Sequence, residues 1–185
     1  AGPLLCGASQ VINDYFDREI DAINEPDRLI PSGMVSTGQI VATTFVLLIA
    51  GFAIALFLGR SVALLTAFGV LLAIAYSAPP IRAKRNGWAG NTLVAISYEG
   101  LAWLAGHLAF GPLTTGSLLI ALVYSFGTHG IMSINDYKSI DGDRKAGIRT
   151  IPVQYGPHKA AWLILLTMNF AQFVVVGYFI LQGSV

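Results

Sequence analysis

Asp14, Asp17 and Asp21 stand at i, i+3 and i+7 in the stretch NDYFDREID. On a helix those positions share one face. Carboxylates stacked this way repel one another unless a cation neutralises them. Hard oxygen donors in a small cluster suit Mg²⁺, which keeps several waters and binds one or two carboxylates plus substrate phosphates. Asn13 adds a neutral donor beside them. A second stretch, NDYKSIDGDRKAGIRTIP from Asn135 to Pro152, repeats the outline. Asn13-Asp14-Tyr15 matches Asn135-Asp136-Tyr137, and Arg28-Leu29-Ile30-Pro31 matches Arg149-Thr150-Ile151-Pro152. The step from Asp14 to Asp21 equals that from Asp136 to Asp143, with Asp141 close by and Ser139 where a counterpart of Asp17 would fall. Either stretch alone reads as a solvated loop with helix-capping acids. Their repetition, in a chain otherwise starved of charge, points to two Mg²⁺ sites clamping a diphosphate. Arg28, Lys138, Arg144 and Arg149 are the candidate phosphate donors. Metal candidates are Asp14, Asp17, Asp21, Asp136, Asp141 and Asp143.

The elements that must position these groups are apolar. The 185 residues are 55% hydrophobic and 11% charged, about half the charge of a soluble domain. A net charge of +1 names no nucleic acid or other charged partner, and the single cysteine, Cys6, excludes a disulfide framework. Five runs approach the ~20 apolar residues of a bilayer-spanning helix: Ile40–Leu58, Ser61–Ser77, Trp88–Phe110, Leu113–Ile134 and Ala160–Gln182. A partial run, Ala1–Asn13, precedes them, and both chain ends read as cuts. Strand alternation is absent, so the expected class is all-α: a polytopic transmembrane helix bundle truncated at both ends, one membrane domain over residues 1–185. Ten of the 11 basic residues fall in three loops that alternate with two very short ones. The positive-inside rule makes that face cytoplasmic. Nine of the ten acids lie there too, and four spans between the acidic stretches return the chain to the same face. The two clusters are therefore expected to oppose each other at one membrane surface. Glu99 is the one acid inside a span, a functional candidate by default.

With these residues in view, NDYFDREID resembles the N-D-x-x-D-x-x-x-D motif of the UbiA superfamily of intramembrane prenyltransferases, and DGDRKAGIRTIPVQYG resembles its second acidic region. DAINEPDRLIPSG, YSAPPIRAKRNGWAGN, YEGLAW and THGIMSINDYKSIDGDR are similar to its chlorophyll and bacteriochlorophyll synthase branch, nearer the bacteriochlorophyll side. The resemblance implies a nine-helix fold of which this chain supplies most of helix two to helix seven. It implies Mg²⁺-dependent transfer of a geranylgeranyl or phytyl group from its diphosphate to the propionate of a (bacterio)chlorophyllide. Catalytic roles then fall on Asp14, Asp17 and Asp143, with Asn13 contacting the metal–diphosphate group. Many superfamily members carry aspartate at the place of Ser139, which favours Asp143 over Asp136 or Asp141 here. Leu29 stands where the branch tends to have proline.

Ionisation of an allylic diphosphate leaves a carbocation-like centre, which aromatic faces stabilise. Candidates are Tyr76, Tyr98, Trp103, Tyr124 and Phe126. The acceptor propionate is already ionised at neutral pH and needs no general base. A cation should position it, with Arg82, Lys84 or Arg85 available. His129 could ligate the pigment's magnesium through neutral imidazole, and Glu99 could serve in the same cavity. His107 reads as a residue of the opposite interface. Rival readings are a UbiA-type enzyme with a quinone precursor or haem as acceptor, against which the N-E-P-x-R and Y-E-G-L-A-W segments argue, and a divalent-cation transporter. Transporters hold their ionisable ligands near mid-bilayer, whereas these carboxylates sit at span ends.

Overall fold

The structure, a computed structural model, describes residues 1–183. The chain forms two compact units, Ala1–Arg82 and Ala83–Val185.

The first unit is built from α1 (Gly2–Asn24), α2 (Thr37–Leu58) and α3 (Arg60–Ser77). Pro3 sits in the first turn of α1, where its missing N–H loses nothing. The helix does not stop where the apolar residues do. It continues through Asn24, so the acidic stretch rides on the same rigid rod as the apolar half. A hydrogen-bonded turn segment, residues 25–35, follows. A capping box then starts α2: the Ser36 hydroxyl accepts from Gln39 N–H, and the Gln39 side chain accepts from Ser36 N–H. Close approach of small residues joins α1 to α2, with Ala8 and Ala55 fully buried. A Cβ at Gly51 would lie 2.9 Å from Leu5 Cδ2. The outward faces carry large apolar side chains such as Phe45, Ile49 and Phe57. Apolar outside and small or polar inside is the arrangement expected in hydrocarbon, where close packing rather than water drives helix association.

The second unit begins with a 3₁₀ turn, Ala83–Arg85. It continues through α4 (Gly87–Val94), a π-helical segment (Ala95–Gly100), α5 (Leu101–Leu108) and α6 (Thr115–Asn135). A second 3₁₀ turn (Asp136–Ser139), α7 (Ile140–Lys145), α8 (Ile151–Tyr155) and α9 (Pro157–Leu181) complete it. The α6 and α9 helices pack through small residues: a Cβ at Gly127 would meet Ala171 at 3.1 Å, and one at Gly130 would strike Thr167 Oγ1.

Among the described residues, α2, α3, the helical stretch Thr115–Lys145 and α9 are long and apolar enough to cross a membrane. The run Trp88–Phe110, expected as one span, is instead three consecutive helical segments with a π turn in the middle. Local chemistry accounts for the change. Ser97 Oγ donates to the carbonyls of Leu93 and Val94, competing with the backbone ladder. Gly100 lies against α6, so that a Cβ there would sit 2.6 Å from Ser125 Oγ.

A backbone clamp ties the basic loop to the second acidic stretch. Arg149 N–H donates to Arg85 O at 2.8 Å, and Gly87 N–H donates to Arg149 O at 2.8 Å. A Cβ at Gly87 would fall 2.6 Å from Ile151 N and 2.9 Å from Thr150 C, both backbone atoms that cannot step aside. We expect Gly87→Ala to destabilise the protein by roughly 1–3 kcal/mol, as overpacking does. Thermal denaturation in detergent reads this directly, and an unchanged melting temperature would remove the clamp from the account.

Candidate functional site

The acidic face of α1 is neutralised by arginine. Arg28, carried back over the helix end by the turn segment, donates from Nη1 to Asp21 Oδ2 at 2.8 Å and from Nη2 to Asp14 Oδ1 at 3.1 Å. Its Nε lies 3.4 Å from Glu25 Oε2. Burial pushes the Asp21 carboxyl up from its ordinary value; Arg28 opposes this, and Asp17, Asp14 and Glu25 reinforce it. Asp17 pairs with Arg82, whose Nη2 donates to Asp17 Oδ1 at 3.2 Å and to Phe16 O at 3.3 Å. Arg82 has φ of +41°, the left-handed region that side chains other than glycine avoid. Its Nε is buried with no hydrogen-bond partner. Arg82 therefore serves the first acidic motif from inside the same unit. Asn13 Oδ1 accepts from Ser77 Oγ at 3.2 Å.

Beside this charge network is a cavity of about 540 Å³. Asp14, Asp21, Asp27 and Arg28 are among its lining, together with apolar residues such as Val11, Val35 and Ile40.

In the second unit, Asp143 is held by two hydroxyls: Ser139 Oγ donates to its Oδ2 at 2.7 Å and Thr150 Oγ1 at 3.4 Å. Asp136 is half-buried, and its Oδ2 has no hydrogen-bond partner. Asp141 points to solvent with 90% of its side chain exposed, in a 3.4 Å pair with Arg144. Lys138 and Arg149 are exposed on the same stretch, and Lys84 lies in the first 3₁₀ turn.

Inside the apolar part of this unit, Tyr98 and Glu99 both fall in the π turn, a feature that recurs at functional sites. Trp103 stacks on Tyr124 with centroids 5.7 Å apart and planes at 18°, and its Nε1 donates to Ser117 Oγ. His129 packs against Trp88 with centroids 5.0 Å apart, and its Nε2 is buried without a partner. His107 Nε2 meets Pro112 O at 2.8 Å in the short loop after α5.

Among the described residues, no three Asp, Glu, His or Cys side chains converge closely enough to hold a metal ion alone. The donor chemistry nonetheless fits Mg²⁺. The oxygens are hard, a guanidinium already stands as the cation between Asp14 and Asp21, and Asp136 Oδ2 is left over. Few protein donors with phosphate completing the shell is the usual Mg²⁺ arrangement.

Comparison with known proteins decides the lineage. The UbiA prenyltransferase family profile matches residues 1–185. The chain belongs to the UbiA prenyltransferase family. Among UbiA relatives it is 63% identical to the bacteriochlorophyll synthase 34 kDa chain of Chloroflexus aurantiacus, covering 96% of this chain and 57% of that protein. It is 42% identical to the chloroplastic chlorophyll synthase of Arabidopsis thaliana, over 100% of this chain and 49% of that one. Against the digeranylgeranylglyceryl phosphate synthase of Methanothrix thermoacetophila identity falls to 35%, over 94% of this chain and 65% of that protein. A solved structure concerning digeranylgeranylglyceryl phosphate synthase in membranes superposes with a TM-score of 0.76 at 26% identity, over 97% of this chain and 62% of that one. The chain thus spans about half to two thirds of the length of these relatives.

Sequence reasoning missed the groups that aim the UbiA carboxylates. Ser139 registered only as a missing aspartate, and Thr150 only as a position in the repeated outline, because a hydroxyl's role depends on which groups it meets. Asn91 was also missed: its Nδ2 donates to Ser133 Oγ at 3.0 Å, both buried, and its amide stands beside Asp136. A lone amide in the apolar run after Trp88 was the available signal. Removing an outer hydrogen bond to a ligating carboxylate typically costs ten- to a hundredfold in metal affinity or activity. Ser139→Ala should lower turnover of the full-length enzyme by about tenfold with its melting temperature little changed, and Ser139→Thr should restore most of it. Full activity in the alanine variant would show that Asp143 needs no such support.

Proposed function

We propose that the protein containing this chain is a (bacterio)chlorophyll synthase, an integral membrane prenyltransferase that transfers a geranylgeranyl or phytyl group from its diphosphate to the propionate of (bacterio)chlorophyllide. One observation carries the donor half of this reading: a cavity of about 540 Å³ is lined by Asp14, Asp21, Asp27 and Arg28 together with mostly apolar residues, Gln39 and Thr43 excepted. That pairing suits a charged diphosphate on a hydrocarbon chain. The acceptor half is supported by stronger likeness to named chlorophyll and bacteriochlorophyll synthases than to glyceryl phosphate synthases.

Asp14, Asp17 and Asp21 in the first motif, and Asp136 and Asp143 in the second, are the residues that would hold Mg²⁺. When bound, Mg²⁺ neutralises diphosphate oxygens and makes the group a better leaving group. Arg28, Lys138, Arg144 and Arg149 donate to the phosphate oxygens. Asp141 contributes least, since it faces solvent paired with Arg144. Both motifs are read as lying on the cytoplasmic side, a reading supported by the positive-inside pattern of the basic residues. The bond between the allylic carbon and the diphosphate oxygen breaks, and the electron pair leaves with diphosphate. A propionate oxygen forms the new bond to that carbon, so no proton has to be removed. Trp103 and Tyr124, stacked on each other and each partly exposed, are the aromatic candidates for stabilising positive charge that develops at the allylic carbon. Lys84 and Arg85 supply the charge that orients the acceptor carboxylate, while Arg82 is engaged with Asp17.

Two measurements test this reading on the full-length enzyme. Supplied with geranylgeranyl diphosphate, it should prenylate chlorophyllide and not 4-hydroxybenzoate; product from the benzoate alone would reject the acceptor. Asp14→Asn and Asp143→Asn should each reduce turnover by more than about a hundredfold, and near-normal activity of either at saturating Mg²⁺ would reject a role for its motif.

A further inference from the structure

Arg28 uses all three sides of its guanidinium on the acids of the first motif: Asp21 at 2.8 Å, Asp14 at 3.1 Å and Glu25 at 3.4 Å. Its charge sits between the two carboxylates that share a helix face. A cation bound between Asp14 and Asp21 would need the space and charge balance that Arg28 now fills. The second arginine of the motif is not equivalent. Arg82 is anchored by a backbone carbonyl as well as by Asp17, in a left-handed backbone conformation. Its side chain is 26% exposed, against 40% for Arg28. Ion pairs as exposed as those of Arg28 are individually weak. Its planar fork matches a phosphate as well as a carboxylate.

We propose that Arg28 is an exchangeable counterion: it occupies the cation position between Asp14 and Asp21 in the resting protein and moves onto the diphosphate when a divalent cation takes that position. The proposal rests on the diphosphate reading above and adds an order to it. A cation arriving alone must expel Arg28 into solvent and binds weakly. A cation arriving with diphosphate offers Arg28 a new partner, so the two ligands bind with positive coupling.

The test uses the full-length protein in detergent micelles and two probes other than turnover. Mn²⁺ binding without any phosphate is followed by its paramagnetic resonance signal, and retention of inorganic pyrophosphate is measured at saturating Mn²⁺. Arg28→Gln should tighten Mn²⁺ about fivefold and weaken pyrophosphate about fivefold, the scale of two exposed ion pairs lost or gained. Arg28→Lys, which keeps the charge without the fork, should shift both in the same directions by about twofold, and it carries the test if the glutamine variant does not fold. A purely structural Arg28 would weaken both ligands on substitution. Unchanged or weaker Mn²⁺ binding, or tighter Mn²⁺ with unchanged pyrophosphate, overturns the exchange and leaves the diphosphate reading standing. Failure of the wild-type protein to retain pyrophosphate at any Mn²⁺ concentration overturns both.

Discussion

Like charges on one face of a helix that is continuous with an apolar segment need opposite charge close by, and most of what surrounds the first acidic motif follows from that constraint. Asp14, Asp17 and Asp21 each have an arginine partner within the unit Ala1–Arg82. Supplying those arginines requires the chain to fold back twice. The turn segment after α1 delivers Arg28, and the loop after α3 delivers Arg82 in a left-handed conformation. In water such pairs would matter little. At the end of an otherwise apolar helix they hold the motif together.

The second unit solves a related problem with neutral groups. Asp143 is oriented by hydroxyls rather than by a guanidinium, and Ser133 and Asn91 hydrogen-bond to each other in the buried interior near Asp136. The clamp between the basic loop and Arg149 then fixes Thr150, one of the two hydroxyls on Asp143. Close helix packing at Gly127 and Gly130 gives α6 and α9 the rigidity on which this stretch hangs. Deeper in the unit, the π turn changes the direction in which Tyr98 and Glu99 project relative to an unbroken helix. Glu99 therefore sits where the helical register is locally altered.

Membership of the UbiA family accounts for the two acidic motifs as a pair. It leaves open how each carboxylate is held, which here falls to Ser139 at Asp143 and to Arg28 at Asp14 and Asp21.

The sequence by itself determined the all-helical membrane class, the spans at α2, α3, α6 and α9 within a few residues, and the two aspartate motifs. Hydropathy over ~20 residues and the i, i+3, i+7 spacing are local quantities, readable without knowing what lies opposite. The shared face of Asp14, Asp17 and Asp21 was legible from that spacing, but the continuation of α1 through Asn24, across residues assigned to a loop, was not. Tertiary structure alone decided which arginine pairs with which aspartate, Arg82 with Asp17 among them, and that Ser139 and Thr150 hydrogen-bond to Asp143. It also decided that the run after Trp88 carries a π turn, through the contact of Gly100 with Ser125. Ser139 meets Asp143 within four residues, but Arg28, Arg82 and Thr150 reach aspartates seven to 65 residues away only by chain reversal. No window of sequence specifies such a meeting until packing has fixed the path between them.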